Sequence, residues 1–105
     1  MMAMNMESFN QQVLQDKNTV LVEFWAPWCV YCRRIAPAMK KLAQENGRVR
    51  IAQVNIDDEP ELARLERIEV IPTLVLYQDG EAFGSIVAPE SKARIEEFIQ
   101  ETLGE

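Results

Sequence analysis

The chain has 105 residues, 48% of them apolar and 27% charged, an ordinary globular balance and enough chain for one buried core. Its net charge of −6, from 11 basic and 17 acidic residues with no basic stripe, argues against nucleic-acid binding, and no apolar run approaches the roughly 20 residues of a membrane helix. Two cysteines and no histidine exclude Cys–His and Ser–His catalytic pairs, a c-type haem site, and a Cys₂His₂ or Cys₄ zinc site within one chain.

Met1 to Asn10 carries no Lys or Arg, and polar residues interrupt its apolar ones, so the basic head and apolar stretch of a secretory signal are missing and a cytoplasmic address is expected. Alternation of Met2, Met4 and Met6 with Ala3 and Asn5 suits a short edge strand. Ser8 with Gln11 reads as a capping box, which predicts a helix from about Phe9 to Gln15, and Asp16 to Thr19 reads as a loop. Val20 to Trp25 is a nearly continuous apolar run, as in a parallel strand covered on both faces. A long helix from about Cys29 to Asn46, closed by Gly47, should follow, with Ile35, Met39, Leu42 and Ala43 on one face and Pro37 kinking it.

Val49 to Ile56 reads as the next strand. Acidic residues and Pro60 then open a short helix with Leu62, Leu65 and Ile68 inward. Thr73 to Tyr77 and Ala82 to Val87 are two strands joined by Asp79-Gly80, a hairpin signal. The last helix starts near Ser91, with Ile95, Phe98, Ile99, Thr102 and Leu103 inward. The order β-α-β-α-β-α-β-β-α predicts an α/β domain over residues 1–105, with a mixed sheet of four to five strands flanked by helices on both faces.

The chemistry lies in Trp28-Cys29-Val30-Tyr31-Cys32. Cysteines two residues apart at a helix start can face one another and cycle between dithiol and disulfide. Cys29 falls where unpaired amides and the helix dipole favour a thiolate, the nucleophilic form. Cys32, a turn deeper, is suited to resolve a mixed disulfide. The bare spacing also fits half a metal site or a static bridge, and the strand, Trp-Cys and helix around it weaken both readings. Glu23 interrupts the first long strand on the side of Leu21 and Trp25, which argues for burial. A buried carboxyl with a raised pKa, beneath a dithiol, could take the proton of Cys32. Ile71-Pro72-Thr73 opens a strand, and spacing alone does not set its peptide geometry.

Glu-Phe-Trp-Ala-Pro-Trp-Cys-x-x-Cys, Val54-Asn55-Ile56-Asp57, Ile71-Pro72-Thr73-Leu74, the Asp-Gly hairpin and the Ser-Lys helix start together resemble the thioredoxin family, from about Phe9 to Leu103. The resemblance implies the thioredoxin fold and a protein-disulfide reductase with Cys29 as nucleophile and Cys32 as resolving thiol. It makes Glu23 the counterpart of a buried acid and Pro72 a cis-proline. Ile71 would offer its backbone to an extended substrate. Trp28, Val30, Tyr31, Ile71, Pro72 and Ala88, with the stretch Val87 to Pro89, would contact the substrate, and Trp25 would pack beneath them. It implies no tightly bound cofactor and no metal beyond the redox-active Cys29–Cys32 disulfide. Its partners would be disulfide-containing proteins and an NADPH-dependent flavoprotein reductase, with the chain itself a monomer.

Four departures from the family pattern stand out. Val30-Tyr31 replaces Gly-Pro and restores an amide at Tyr31 that could face the Cys29 sulfur, which would make the pair more oxidising than thioredoxin's roughly −270 mV. Glu23 is one methylene longer than the usual aspartate. Gln53 stands where a lysine usually pairs with that acid, leaving it unpaired, and Ala88 stands where glycine is frequent. Beside a reductase, the sequence therefore leaves room for an oxidase or isomerase, a binding module without thiol chemistry, and a carrier of an iron–sulfur cluster shared between two chains.

Overall fold

The computed structural model describes residues 1–45 and 47–104. A short strand β1 (Met2–Ala3) leads into α1 (Met6–Phe9), which continues as a π-helical turn over Asn10–Leu14. Then come β2 (Thr19–Trp25), α2 (Val30–Gln44), β3 (Val49–Asn55), α3 (Pro60–Leu65), β4 (Thr73–Gln78), β5 (Glu81–Val87) and α4 (Lys92–Leu103). The strands form one five-stranded sheet in the order β1-β3-β2-β4-β5. β3 runs parallel to both β1 and β2, whereas β4 is antiparallel to β2 and β5. The expected mixed α/β sheet is present, with its edge strand at the N-terminus.

β2 lies in the middle of the sheet, and its period-two alternation divides the core. Val20, Val22 and Phe24 face Phe9, Val13 and Leu62 on the side of α1 and α3. Leu21 points to the other side, where Ile35 and Met39 of α2 meet Ile95 and Phe98 of α4 against Leu74 and Leu76. Both faces are dry, which is why this strand reads as a continuous apolar run.

The first helix begins earlier than its sequence suggests. Asn5 is the N-cap, accepting from the Ser8 amide at 2.8 Å, while Ser8 Oγ accepts from the Asn5 amide at 2.9 Å. Ser8 is thus the returning partner of the box and not its cap. Asn5 and Ser8 are both good helix caps and compete to start the helix, and Phe9 and Val13 are buried with the earlier start. The long helix ends at Gln44, short of the expected Asn46, which lies outside the described residues. Pro37 sits within α2, exposed, and the helix runs through it.

In α3 the inward residues are Leu62 and Ala63, while Leu65 is half exposed. The helix has only six residues, and Arg67 turns the chain with a φ of 59°, so the pattern Leu62, Leu65, Ile68 does not stay on one helical face. The hairpin turn carries Asp79 at φ 53° and Gly80 at φ 80°, the left-handed pair that matches the twist of two antiparallel strands. Ser91 caps α4 by accepting from the Arg94 amide at 3.1 Å, as its position predicts. Among the described residues no helix is long and apolar enough to cross a membrane.

Candidate active site

The central strand delivers the site. β2 ends at Trp25, the chain turns through Ala26-Pro27-Trp28, and Cys29 becomes the N-cap of α2 with extended backbone, φ −82° and ψ 113°. Its sulfur takes the place that a serine or aspartate oxygen usually holds, accepting a hydrogen bond from the Cys32 amide at 3.2 Å. Both cysteines are free thiols and both are buried, Cys29 at 8% exposure and Cys32 at 3%. Position N3 of the helix therefore supplies both the amide that meets the first sulfur and the second sulfur itself. The hydrogen bond that meets the Cys29 sulfur thus comes from the Cys32 amide, where the sequence pointed to that of Tyr31.

Cys32 is less acidic than an ordinary thiol. Burial, then the hydrogen bond with Cys29, push its pKa up to about 12, with the negative charge of Glu23 adding to the effect. Glu23 lies on the α2 side of β2, in register with Gln53 and Leu74, and is 1% exposed. Burial raises its pKa, and a hydrogen bond from Gln53 Nε2 to Oε1 at 2.9 Å partly opposes that rise. The expectation of an unpaired acid needs correction here. Gln53 gives Glu23 a neutral donor where a lysine would give a charge, so the carboxyl is satisfied without being held ionised.

The opposite wall comes from the start of β4. The Ile71–Pro72 peptide is cis, and the Ile71 carbonyl lies 4.0 Å from Cys29 Sγ as its acceptor. Ile71 and Trp25 pack against the cluster of Ala26, Cys29 and Cys32. The Pro72 carbonyl accepts from the Ala88 amide at 2.9 Å, which ties β5's exit to the same corner. Ala88 holds φ 46°, a left-handed conformation unusual for a residue with a Cβ.

Around this corner the surface is apolar. Trp28 is 63% exposed and Val30 57%, and Val70 and Val87 are also half exposed. These exposed apolar side chains lie on the same corner as Cys29. The residues expected to contact a substrate differ in exposure. Trp28, Val30 and Val87 are open, Tyr31, Ile71 and Ala88 are half-buried, and Pro72 and Pro89 are buried. Pro89 thus supports the surface from beneath. Pro37 stands more than a turn beyond Cys32 and belongs to the helix more than to the site. Two residues escaped the sequence reading. Asp57 Oδ1 accepts from Trp28 Nε1 at 3.1 Å and fixes the ring, and Val70 extends the apolar rim. Only the position of Val70 beside Ile71-Pro72 could have signalled it.

Comparison with known proteins decides what this geometry belongs to. The thioredoxin family profile matches residues 1–101. The chain belongs to the thioredoxin family. It is 35% identical over 97 residues to thioredoxin 1 of Nostoc sp., covering 91% of each chain. It is 39% identical over 89 residues to a thioredoxin of Streptomyces clavuligerus, covering 85% of this chain and 83% of that one. It is also 35% identical over 98 residues to a thioredoxin of Buchnera aphidicola, covering 92% and 91%. This thioredoxin-family chain has the thioredoxin fold and is a thiol–disulfide oxidoreductase, a protein-disulfide reductase whose redox group is the Cys-x-x-Cys pair with no bound cofactor. Family membership implies disulfide-containing protein substrates and a thioredoxin reductase as partners.

Proposed function

We propose that residues 1–105 act as one monomeric cytoplasmic domain that reduces protein disulfides, with Cys29 as nucleophile, Cys32 as resolving thiol and Glu23 as the proton acceptor for resolution. The observation that carries this reading is the helix-capping contact from the Cys32 amide to Cys29 Sγ at 3.2 Å. An amide aimed at a sulfur stabilises negative charge on it, and the rest of the helix N-terminus adds its dipole.

The Cys29 thiolate attacks one sulfur of the substrate disulfide. An S–S bond forms between Cys29 and the substrate, and the substrate's other sulfur leaves as a thiolate and takes a proton from water. Cys32 cannot follow as a thiol, and its raised pKa keeps it protonated at neutrality. The Glu23 carboxylate accepts that proton, and the Cys32 thiolate attacks Cys29 Sγ. The mixed disulfide breaks, the second substrate sulfur leaves, and the Cys29–Cys32 disulfide forms. Two electrons have passed from the dithiol to the substrate. An NADPH-dependent flavoprotein reductase returns the pair to the dithiol.

The substrate strand lies along Ile71, whose backbone faces the sulfur, with Pro72 buried behind it. Trp28, Val30, Val87 and the half-buried Ala88 and Tyr31 frame the entry, and Trp25 supports the floor. The test is insulin-disulfide reduction with dithiothreitol as donor. Cys29→Ser should abolish the catalysed rate, and Cys32→Ser should accumulate a mixed disulfide visible on a non-reducing gel. Catalysis surviving Cys29→Ser would refute the assignment and favour a binding module.

A further inference from the structure

The spacer side chain Tyr31 has a placement that the exchange chemistry does not use. Tyr31 is the second residue of α2, midway between the two cysteines. Its ring is half-buried and packs on both the cluster around the cysteines and the core beneath α4. Its hydroxyl donates to the Pro89 carbonyl at 3.5 Å, at the outer limit of a hydrogen bond, while its ring is held by those two clusters.

Pro89 belongs to the short link between β5 and α4, and that link is held from two directions. On one side the Ala88 amide donates to the Pro72 carbonyl at 2.9 Å. On the other, the Tyr31 hydroxyl donates to the Pro89 carbonyl. Between these ties Ala88 adopts φ 46°, a conformation an L residue keeps only where its surroundings impose it. Val87, directly before, is half exposed at the mouth of the site.

From this geometry we infer that Tyr31 is a positioning residue that clamps the Val87–Pro89 link against the dithiol helix, fixing the separation between the docking edge and Cys29 and so biasing the enzyme toward extended polypeptide disulfides over small ones. This rests on the proposed docking role of that edge. The spacer then does two things. Its backbone presents the sulfurs, and its second side chain sets the shape of the surface that a folded substrate must meet. A small aromatic disulfide needs only the sulfur, whereas a polypeptide touches the Ile71 backbone and Val87 as well.

The experiment compares kcat/KM for insulin with that for 5,5′-dithiobis(2-nitrobenzoate) in the wild type, Tyr31→Phe and Tyr31→Ala, with amide hydrogen exchange of Ala88 as a second readout. The inference expects the insulin-to-small-disulfide ratio to fall about fivefold in Tyr31→Ala, through KM, the size of effect that loss of one modest contact produces. Tyr31→Phe should lower it about twofold or less, since the ring remains. Ala88 exchange should speed up in Tyr31→Ala more than that of other hairpin amides. If Tyr31→Ala does not fold, Tyr31→Leu, which keeps buried volume but loses the ring tip, decides by the same ratio. A ratio equal to wild type in the folded variant, or an equal fall for both substrates, overturns the inference while leaving the reductase reading intact. A wild type that reduces neither substrate overturns both.

Discussion

Replacing Glu23 by glutamine should change how stability depends on pH, and the size of the change follows from burial. Glu23 is 1% exposed, and the Gln53 amide donates to its carboxylate at 2.9 Å. Burial raises its folded-state pKa above that of the unfolded chain, about 4.3. Between those two values the native state holds a proton that the unfolded state has released. Stability therefore falls as pH rises through that window, by about 1.4 kcal/mol per pH unit, and levels off above the folded pKa. Below the window both states are protonated and the effect vanishes. Glutamine does not titrate, fills the same space and can still accept from Gln53. Below the ordinary thiol range Cys32 is protonated in the folded and unfolded states of both proteins, so it drops out of the difference there. Urea unfolding of the reduced proteins from about pH 4 to about pH 9 measures the effect. The stability of Glu23→Gln minus that of wild type should grow steadily more positive with pH and then plateau, the plateau marking the carboxyl's pKa. A difference that stays flat over the whole range, or one that shrinks as pH rises, would show that Glu23 is not the desolvated acid described here.

The same variant should reduce insulin disulfides severalfold more slowly near neutral pH while keeping its fold, and equal rates at every pH would reject the proton-acceptor role. Gly80→Ala should cost about 1–3 kcal/mol, because the added Cβ would lie 2.2 Å from the Leu14 carbonyl oxygen and φ is 80°; an unfolding free energy in urea within a few tenths of a kcal/mol of wild type would contradict that packing. Tyr77→Phe should destabilise by about 1–2 kcal/mol, because the buried Tyr77 hydroxyl donates to Glu66 Oε1 at 2.5 Å and its loss leaves that half-buried carboxylate oxygen short of a donor; a neutral change by thermal denaturation would show that water replaces it freely.

Much of this structure can be read in the sequence where one physical constraint acts alone. β2 declares itself because both faces are covered, and Glu23 is conspicuous in it for the same reason. Asp79-Gly80 marks the hairpin because few other residues tolerate two left-handed positions in a row. The Cys-x-x-Cys pair at a strand-to-helix junction carries its chemistry in its spacing. Reading fails where two local solutions compete. Asn5 and Ser8 could each cap the first helix, and only the burial of Phe9 and Val13 selects Asn5. The inner face of α3 depends on where a six-residue helix stops, which Arg67 sets by its backbone and not by its side-chain type. Long-range contacts are hidden as well. Nothing local joins Gln53 to Glu23, Trp28 to Asp57 or Tyr31 to Pro89, since the sheet order and the return of α4 bring them together.

The central claim is that one sulfur is activated by the helix that begins at it while its neighbour waits protonated beneath. Timed alkylation of the reduced protein with iodoacetamide near pH 6, with peptide mass spectrometry to separate the two sites, tests it directly. Cys29 should be modified first and many times faster than free cysteine under the same conditions, with Cys32 essentially untouched over that interval. Modification of Cys32 first, or of Cys29 no faster than free cysteine, would contradict the account.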